Sequence, residues 1–239
     1  MNTRTNWFII QASWILLSFF LYIPSEAQDT KENPYHLTLV SSVNEYSGMV
    51  AKDSLQKLVD LKKTIPGIQL DIRYATSNNF THKKIYSEPM AFLREPAARA
   101  LKGVQGELKK KGIGLKIYDA YRPYAATLLF WEIAKDTLFV AAPWQGSRHN
   151  RGCAVDLGLI DLKTGKDLEM PTPFDDFTKK ASPQYTDLPQ KAIENRTLLI
   201  QIMNKYGFTV FPSEWWHFDF KGWERYPLMD VSFEELKGK

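Results

Sequence analysis

The sequence predicts a single mixed α+β domain, a central antiparallel sheet flanked by helices. Three observations predict it. Strand-like segments at Ile68–Tyr74, Leu115–Ala120 and Ala154–Ile160 are followed by a hairpin-like pair, Phe208–Phe211 and Trp215–Phe220, with two long helical stretches between them. No repeat, low-complexity tract or interdomain linker breaks this order. The 239 residues, 44% hydrophobic and 24% charged, are enough for one well-buried core.

The first 27 residues stand outside that domain. Met1–Trp7 carries Arg4 and no acid, Phe8–Ile23 is mostly apolar, and Ser25-Glu-Ala27 offers the small residues a signal peptidase reads. Residues 1–27 are therefore expected to be a signal peptide cleaved before Gln28, leaving 28–239 as the mature domain. A retained anchor is the competing reading, but Gln11 interrupts a run that falls short of the ~20 residues a spanning helix needs. The expected location is periplasmic or otherwise extracytoplasmic, with no stable membrane insertion after cleavage. The net charge of +4, with basic and acidic residues intermixed, lacks the basic runs of nucleic-acid binders. A lone Cys153 cannot make an intramolecular disulfide, so the core must hold the fold.

Within the domain, Gln28 to about Val50 reads as a polar lead-in and Ala51–Leu61 as a helical piece before the first strand. Ala75-Thr-Ser-Asn-Asn-Phe80-Thr81 is rich in turn formers. Glu95-Pro96 opens a helix that runs to about Lys111, with proline in its first turn and Gly112 as its stop. The strand Leu115–Ala120 ends in Tyr121-Arg122-Pro123. A residue before proline is pushed toward extended geometry, so Arg122 is held at the strand end instead of joining the helix that begins at Pro123. Asp136–Ser147 is a long connection, and the next strand carries Asp156. The proline-rich Met170-Pro-Thr-Pro-Phe-Asp175 keeps Asp161–Asp176 a loop, and Leu188–Tyr206 is the second long helix, ending before Gly207.

Two segments carry the chemistry: Ser147-Arg-His149-Asn-Arg-Gly152-Cys-Ala-Val-Asp156 and Glu214-Trp-Trp-His217. Two imidazoles and one carboxylate, from His149, Asp156 and His217, form a three-ligand set that leaves one zinc position open for water. Glu214 stands beside the last ligand, where a general base is needed. Gly152 permits the tight turn that lets His149 and Asp156 converge. The other histidines, His36 and His82, lie in ordinary polar stretches. Strand alternation puts Cys153 and Asp156 on opposite faces, which makes Cys153 a buried filler and not a ligand. The same alternation raises a difficulty, because Glu214 and His217 then face opposite sides while His217 and Asp219 share one. A bend at Pro212-Ser213 that lets Glu214 reach inward, with Asp219 orienting an imidazole, reconciles the two.

The ordered set Asp71-Ile-Arg-Tyr74-Ala-Thr, Asn79-Phe-Thr81, Asp119-Ala-Tyr-Arg122-Pro, the zinc segment, Pro173-Phe-Asp175 and Glu214-Trp-Trp-His217 resembles the zinc D-alanyl-D-alanine dipeptidases. These are the branch of the hedgehog-related DD-peptidases that includes the vancomycin-resistance dipeptidases. The resemblance covers about residues 65–230. It departs from the family only in small ways, such as Ala120 where glycine is frequent and Cys153 where serine is frequent.

The resemblance implies a hedgehog/DD-peptidase-like fold and one zinc per chain on His149, Asp156 and His217. It further implies Glu214 as the base that activates water, Arg122 on the developing oxyanion, and Tyr74, Ser147 and Asp175 around the dipeptide. Asp175 is suited to a free ammonium. Asp119 is expected to hold Arg122 by a salt bridge, with an ordinary strand-end turn as the alternative. The implied reaction is hydrolysis of D-Ala-D-Ala to two D-alanines. An exported enzyme does not meet the cytoplasmic dipeptide pool, so the expected setting is wall turnover and not resistance. Two alternatives stay open: a D,D- or L,D-carboxypeptidase or endopeptidase acting on stem peptides through an open cleft, and a non-catalytic zinc module that binds the wall. Retention of Glu214 and Arg122 beside a full ligand set argues against the latter.

Overall fold

The computed structural model describes residues 33–137 and 140–237, so the expected signal peptide over residues 1–27 lies outside the described residues. The described chain opens with β1 (Leu39–Val40) and α1 (Val43–Lys52). Ser42 and Glu45 form a capping box: the serine hydroxyl accepts from the Glu45 N–H, and the Glu45 carboxylate accepts from the Ser42 N–H. This box starts the helix earlier than the expected Ala51–Leu61. That stretch instead holds a short 3₁₀ turn, β2 (Leu58–Asp60) and the start of α2 (Leu61–Thr64), where the Asp60 carboxylate accepts the Lys62 N–H. Only β3 (Gln69–Leu70) forms from the expected Ile68–Tyr74 strand, because Arg73–Ala75 turns into a 3₁₀ helix that carries Tyr74 out of the sheet.

β4 (Phe92–Arg94) leads directly into α3 (Glu95–Lys109), which begins with Pro96 as expected and buries Ala97, Leu101, Val104 and Leu108 along one face. Then come β5 (Ile113–Asp119), α4 (Tyr124–Ala134), β6 (Ala154–Asp161), α5 (Gln190–Lys205), β7 (Phe208–Phe211) and β8 (Glu214–Phe220), close to the expected limits. β9 (Leu228–Met229) and α6 (Phe233–Leu236) complete the chain. Sequence reasoning passed over these last two, although Ser232 and Glu235 repeat the capping-box signal.

The main sheet runs β3-β5-β6-β8-β7, antiparallel except for the parallel β3–β5 pair. β2 pairs with β4 and β1 with β9 in two smaller sheets. α3 packs on β5 and α5 on β7, and the two helices touch. Gly103 makes that contact possible, since a Cβ there would stand 2.3 Å from Cε1 of Tyr206 at the end of α5. β6 is buried along nearly its whole length at the centre of the sheet. A buried central strand fixes a side chain more precisely than a loop can. Among the described residues no helix is long and apolar enough to cross a membrane.

Candidate metal centre and active site

The sheet register builds the centre. Asp119 on β5 pairs with Asp156 on β6, and Asp156 pairs with His217 on β8, so three polar side chains lie in a row across adjacent buried strands. His149 enters from the 3₁₀ turn His149–Arg151 just before β6. Gly152 ends that turn at φ +68, a left-handed conformation that glycine adopts without strain, and a Cβ there would lie 2.5 Å from Cδ2 of Leu58. Asn150 ties the turn to the arginine strand end, since its amide donates to the Arg122 carbonyl and its oxygen accepts the Ser147 N–H.

The two imidazoles are oriented from outside. His149 Nδ1 donates to the Ala120 carbonyl at 2.7 Å, and His217 Nε2 donates to Asp219 at 2.9 Å, the partner expected for Asp219. Their inner nitrogens, in the neutral form, then carry lone pairs. These nitrogens lie 3.1 Å apart and 3.3 Å and 3.1 Å from Asp156 Oδ1, a buried oxygen with no hydrogen-bond donor. Three lone-pair donors converging in a buried site repel one another unless a cation lies between them. Donors held 2.0–2.1 Å from a tetrahedral zinc stand about 3.3–3.4 Å apart, so the group fits a zinc ion. The electrostatics demand positive charge as well. Burial opposes the His217 imidazolium, yet Asp156 and Asp219 push its pKa up to about 10, so its inner nitrogen attracts a proton or a metal ion in competition. Burial also acts to raise the Asp156 pKa, and the two imidazoles outweigh it and hold the carboxyl well below its usual range.

Glu214 reaches the centre through an irregularity in β8. Val210 pairs with Phe218, but Phe211 pairs with Glu214, so one step along β7 spans four along β8. This bulge breaks the strand alternation that set Glu214 opposite His217. The Glu214 carboxylate consequently lies 3.8 Å from His217 Nδ1. The expected position near the centre holds, with a bulge over Trp215–His217 as its cause. Burial, with Asp156 adding to it, brings the Glu214 carboxyl to about 7 against the pull of His217.

Arg122 is buried beside them. Its Nη2 and Nε donate to Asp119 at 2.8 Å and 3.0 Å, which makes the expected salt bridge, and its guanidinium lies 4.7 Å from the Phe130 ring centre. A cavity of about 220 Å³ opens in front, lined by Arg122, Glu214, His149, His217, Tyr74, Ser147 and Asp175 among others. Tyr74 donates its hydroxyl to the Asp175 carboxylate at 3.0 Å. Asp175 sits at φ +61, with its carboxyl pushed up to about 8 by burial and by the charge of Asp156. Ser147 Oγ accepts the His149 N–H. Cys153 is buried with its thiol pushed up to about 12 by burial, and lies outside the ligand group, as expected.

Several wall residues were missed by sequence reasoning. Phe80, Phe130 and Phe177 line the cavity and stack edge-on in pairs, Phe80 with each of the other two. Arg148, whose guanidinium rests 4.8 Å from the Trp223 ring centre, stands 3.7 Å from the second Asp219 oxygen. An aromatic or arginine is too common for its type alone to mark a site, and only the fold brings these together.

The family model described as D-ala-D-ala dipeptidase, the M15 peptidases, matches residues 54–234. A D-alanyl-D-alanine dipeptidase of Escherichia coli is 36% identical over 177 residues, covering 74% of this chain and 91% of its own length. One from Enterococcus faecalis is 29% identical over 181 residues, 66% of this chain and 88% of its own. Among solved structures, the LD-carboxypeptidase LdcB overlaps 76% of this chain and 77% of its own at 21% identity and a TM-score of 0.41, too loose a likeness to bear on the site.

Proposed function

Because this chain belongs to the D-alanyl-D-alanine dipeptidase family of M15 metallopeptidases, we propose that it hydrolyses D-Ala-D-Ala to two D-alanines with one zinc held by His149, Asp156 and His217. The observation that carries the metal reading is the set of inner lone pairs facing the unpartnered Asp156 Oδ1. Zinc bound there would supply Lewis acidity, making water more acidic and polarising the scissile carbonyl.

The chain's own groups divide the remaining work. Glu214, with its carboxyl near 7, takes a proton from the attacking water and later delivers it to the leaving amine as the C–N bond breaks. Arg122 is always charged and is pinned by Asp119, so its guanidinium favours the negative oxygen of the tetrahedral stage over the neutral carbonyl before it. Asp175 and the Tyr74 hydroxyl offer a recognition point for the substrate ammonium. Asp119 and Asp219 fix Arg122 and His217 from behind.

The dipeptide is favoured over a stem peptide by size and charge. The cavity of about 220 Å³ is below the ~300–1,000 Å³ of sites for drug-sized ligands. A carboxylate on its wall is left without a cation by any substrate with a blocked amino terminus. A panel of D-Ala-D-Ala, N-acetyl-D-Ala-D-Ala and a wall pentapeptide tests this reading. Comparable turnover of the blocked dipeptide would replace it with the carboxypeptidase reading. Export and a place in wall turnover complete the proposal. They rest on residues 1–27, and a purified protein that does not begin at Gln28 would remove that support.

A further inference from the structure

Tyr86 does not line the cavity, yet it is tied to the arginine that does. Its hydroxyl donates to the Asp119 carboxylate, 2.9 Å from Oδ1 and 3.1 Å from Oδ2. Asp119 is itself saturated, with Oδ1 also taking the Ala120 N–H at 2.9 Å and Oδ2 taking both Arg122 donors. Tyr86 is firmly held. Its ring packs 4.9 Å from Phe233 of α6 and 5.6 Å from Tyr74, and its N–H donates to the Tyr74 carbonyl at 2.8 Å.

We propose that Tyr86 is a positioning residue for the hydrolysis, locking the Asp119 carboxylate so that Arg122 stays aimed at the cavity. The inference rests on the dipeptidase reading given above. Without the Tyr86 hydroxyl the Asp119 carboxylate would be held only by the Ala120 N–H and by the arginine it has to aim, which leaves its last torsion less restrained. Arg122 also has a second acid within reach, Asp156 Oδ2, 3.9 Å from its Nη2. A loosened Asp119 would let the guanidinium shift toward Asp156 and lose the fixed aim that the Asp119 pair gives it. Electrostatic catalysis depends on donors fixed before the reaction, so such drift costs turnover more than binding.

Tyr86→Phe keeps the ring and its packing and removes only the hydroxyl. The expected result is a fall in kcat of about tenfold on D-Ala-D-Ala with KM within about twofold of wild type and zinc content unchanged. In an Arg122→Lys background the same change should have no further effect, because Tyr86 acts only through Arg122. Independent multiplication of the two losses, or an unchanged kcat in an active wild type, overturns the proposal. A readout free of activity separates it from the dipeptidase reading: the Arg122 Nε–H, sheltered by Asp119, should exchange with solvent at least about tenfold faster in Tyr86→Phe by NMR. Wild-type protein inactive on the dipeptide would sink the dipeptidase reading, whereas unchanged exchange would sink the positioning role whatever the substrate.

Discussion

Asp175→Asn should make the protein more stable and a worse enzyme at once. Asparagine tolerates the left-handed conformation at φ +61 as aspartate does, so the backbone is unchanged and only the charge is lost. In the folded protein the Asp175 carboxyl is pushed from 3.8 to about 8, first by burial and then by the nearby Asp156 charge. The folded state thus holds its proton more tightly than the unfolded chain. Asp175 costs nothing below pH 4, and its cost grows as pH rises from about 4 and is complete above about 8. At 1.36 kcal/mol per pH unit that interval sets a ceiling of about 6 kcal/mol. The carboxylate is only half-buried, and water in the cavity and a bound cation relieve it further, which leaves about 2 kcal/mol at pH 8. For a domain of this size that is a rise of about 4–8 °C in Tm.

Binding should move the other way. Asparagine cannot neutralise the substrate ammonium, and losing a hydrogen bond to a charged group, worth ~1.5–3 kcal/mol, raises KM for D-Ala-D-Ala by about 10- to 100-fold. The preference for a free over an acetylated amino terminus should shrink with it. Paired thermal melts of wild type and variant at pH 5 and pH 8, at fixed ionic strength, provide the assay, with kinetics on both substrates at pH 8. The Tm advantage of the variant should be large at pH 8 and narrow toward pH 5. A variant less stable than wild type at pH 8, or one with unchanged KM, would refute the reasoning, since the carboxylate would then be a structural partner and not a recognition group.

His149→Ala and His217→Ala should each lose zinc, whereas Glu214→Gln should retain it and lower kcat by about 10²–10⁴-fold; elemental analysis beside turnover distinguishes the ligand and base roles. Gly152→Ala should cost about 2–3 kcal/mol, combining the left-handed strain at φ +68 with the 2.5 Å approach to Leu58, and a denaturant titration with an unchanged midpoint would contradict this. Cys153, buried with its thiol near 12, should resist a thiol reagent in the native state and react with one equivalent per chain once unfolded; fast native labelling would place it at the surface.

The parts of the site that were legible are those where local chemistry decides. Pro96 and Pro123 set where helices begin, and Gly152 marked the turn between two proposed ligands. An acid in the otherwise apolar run Ala154-Val-Asp156-Leu-Gly-Leu-Ile160 is costly in a central strand unless something pairs with it, which singles out Asp156 from sequence. What stayed hidden depends on register. The bulge in β8 leaves no residue signature, because Trp215, Trp216 and His217 read as three ordinary strand residues until their pairing with β7 is seen. Tyr86 lies 33 positions before Asp119, and nothing local links them. The missed helices α1 and α6 are a different matter, since Ser42 with Glu45 and Ser232 with Glu235 are capping boxes written in the sequence.

That bulge also explains how one short strand can serve two needs that conflict. The buried sheet requires Trp215, Trp216 and Phe218 to fill its two faces, and the centre requires Glu214 and His217 on the same side. Regular alternation cannot satisfy both, because a spacing of three sends the two polar side chains apart. Extra residues at the end of the sheet break the parity just where Glu214 enters, while Val155 and Asp156 of β6 keep regular pairing with Phe218 and His217. The proposed ligand His217 is therefore fixed by the sheet, and the proposed base by the irregularity at its edge. A one-residue deletion between Glu214 and His217 would leave a spacing of two, which regular alternation also puts on one face, but it would remove one of the two buried tryptophans and shift the pairing of Glu214 with Phe211.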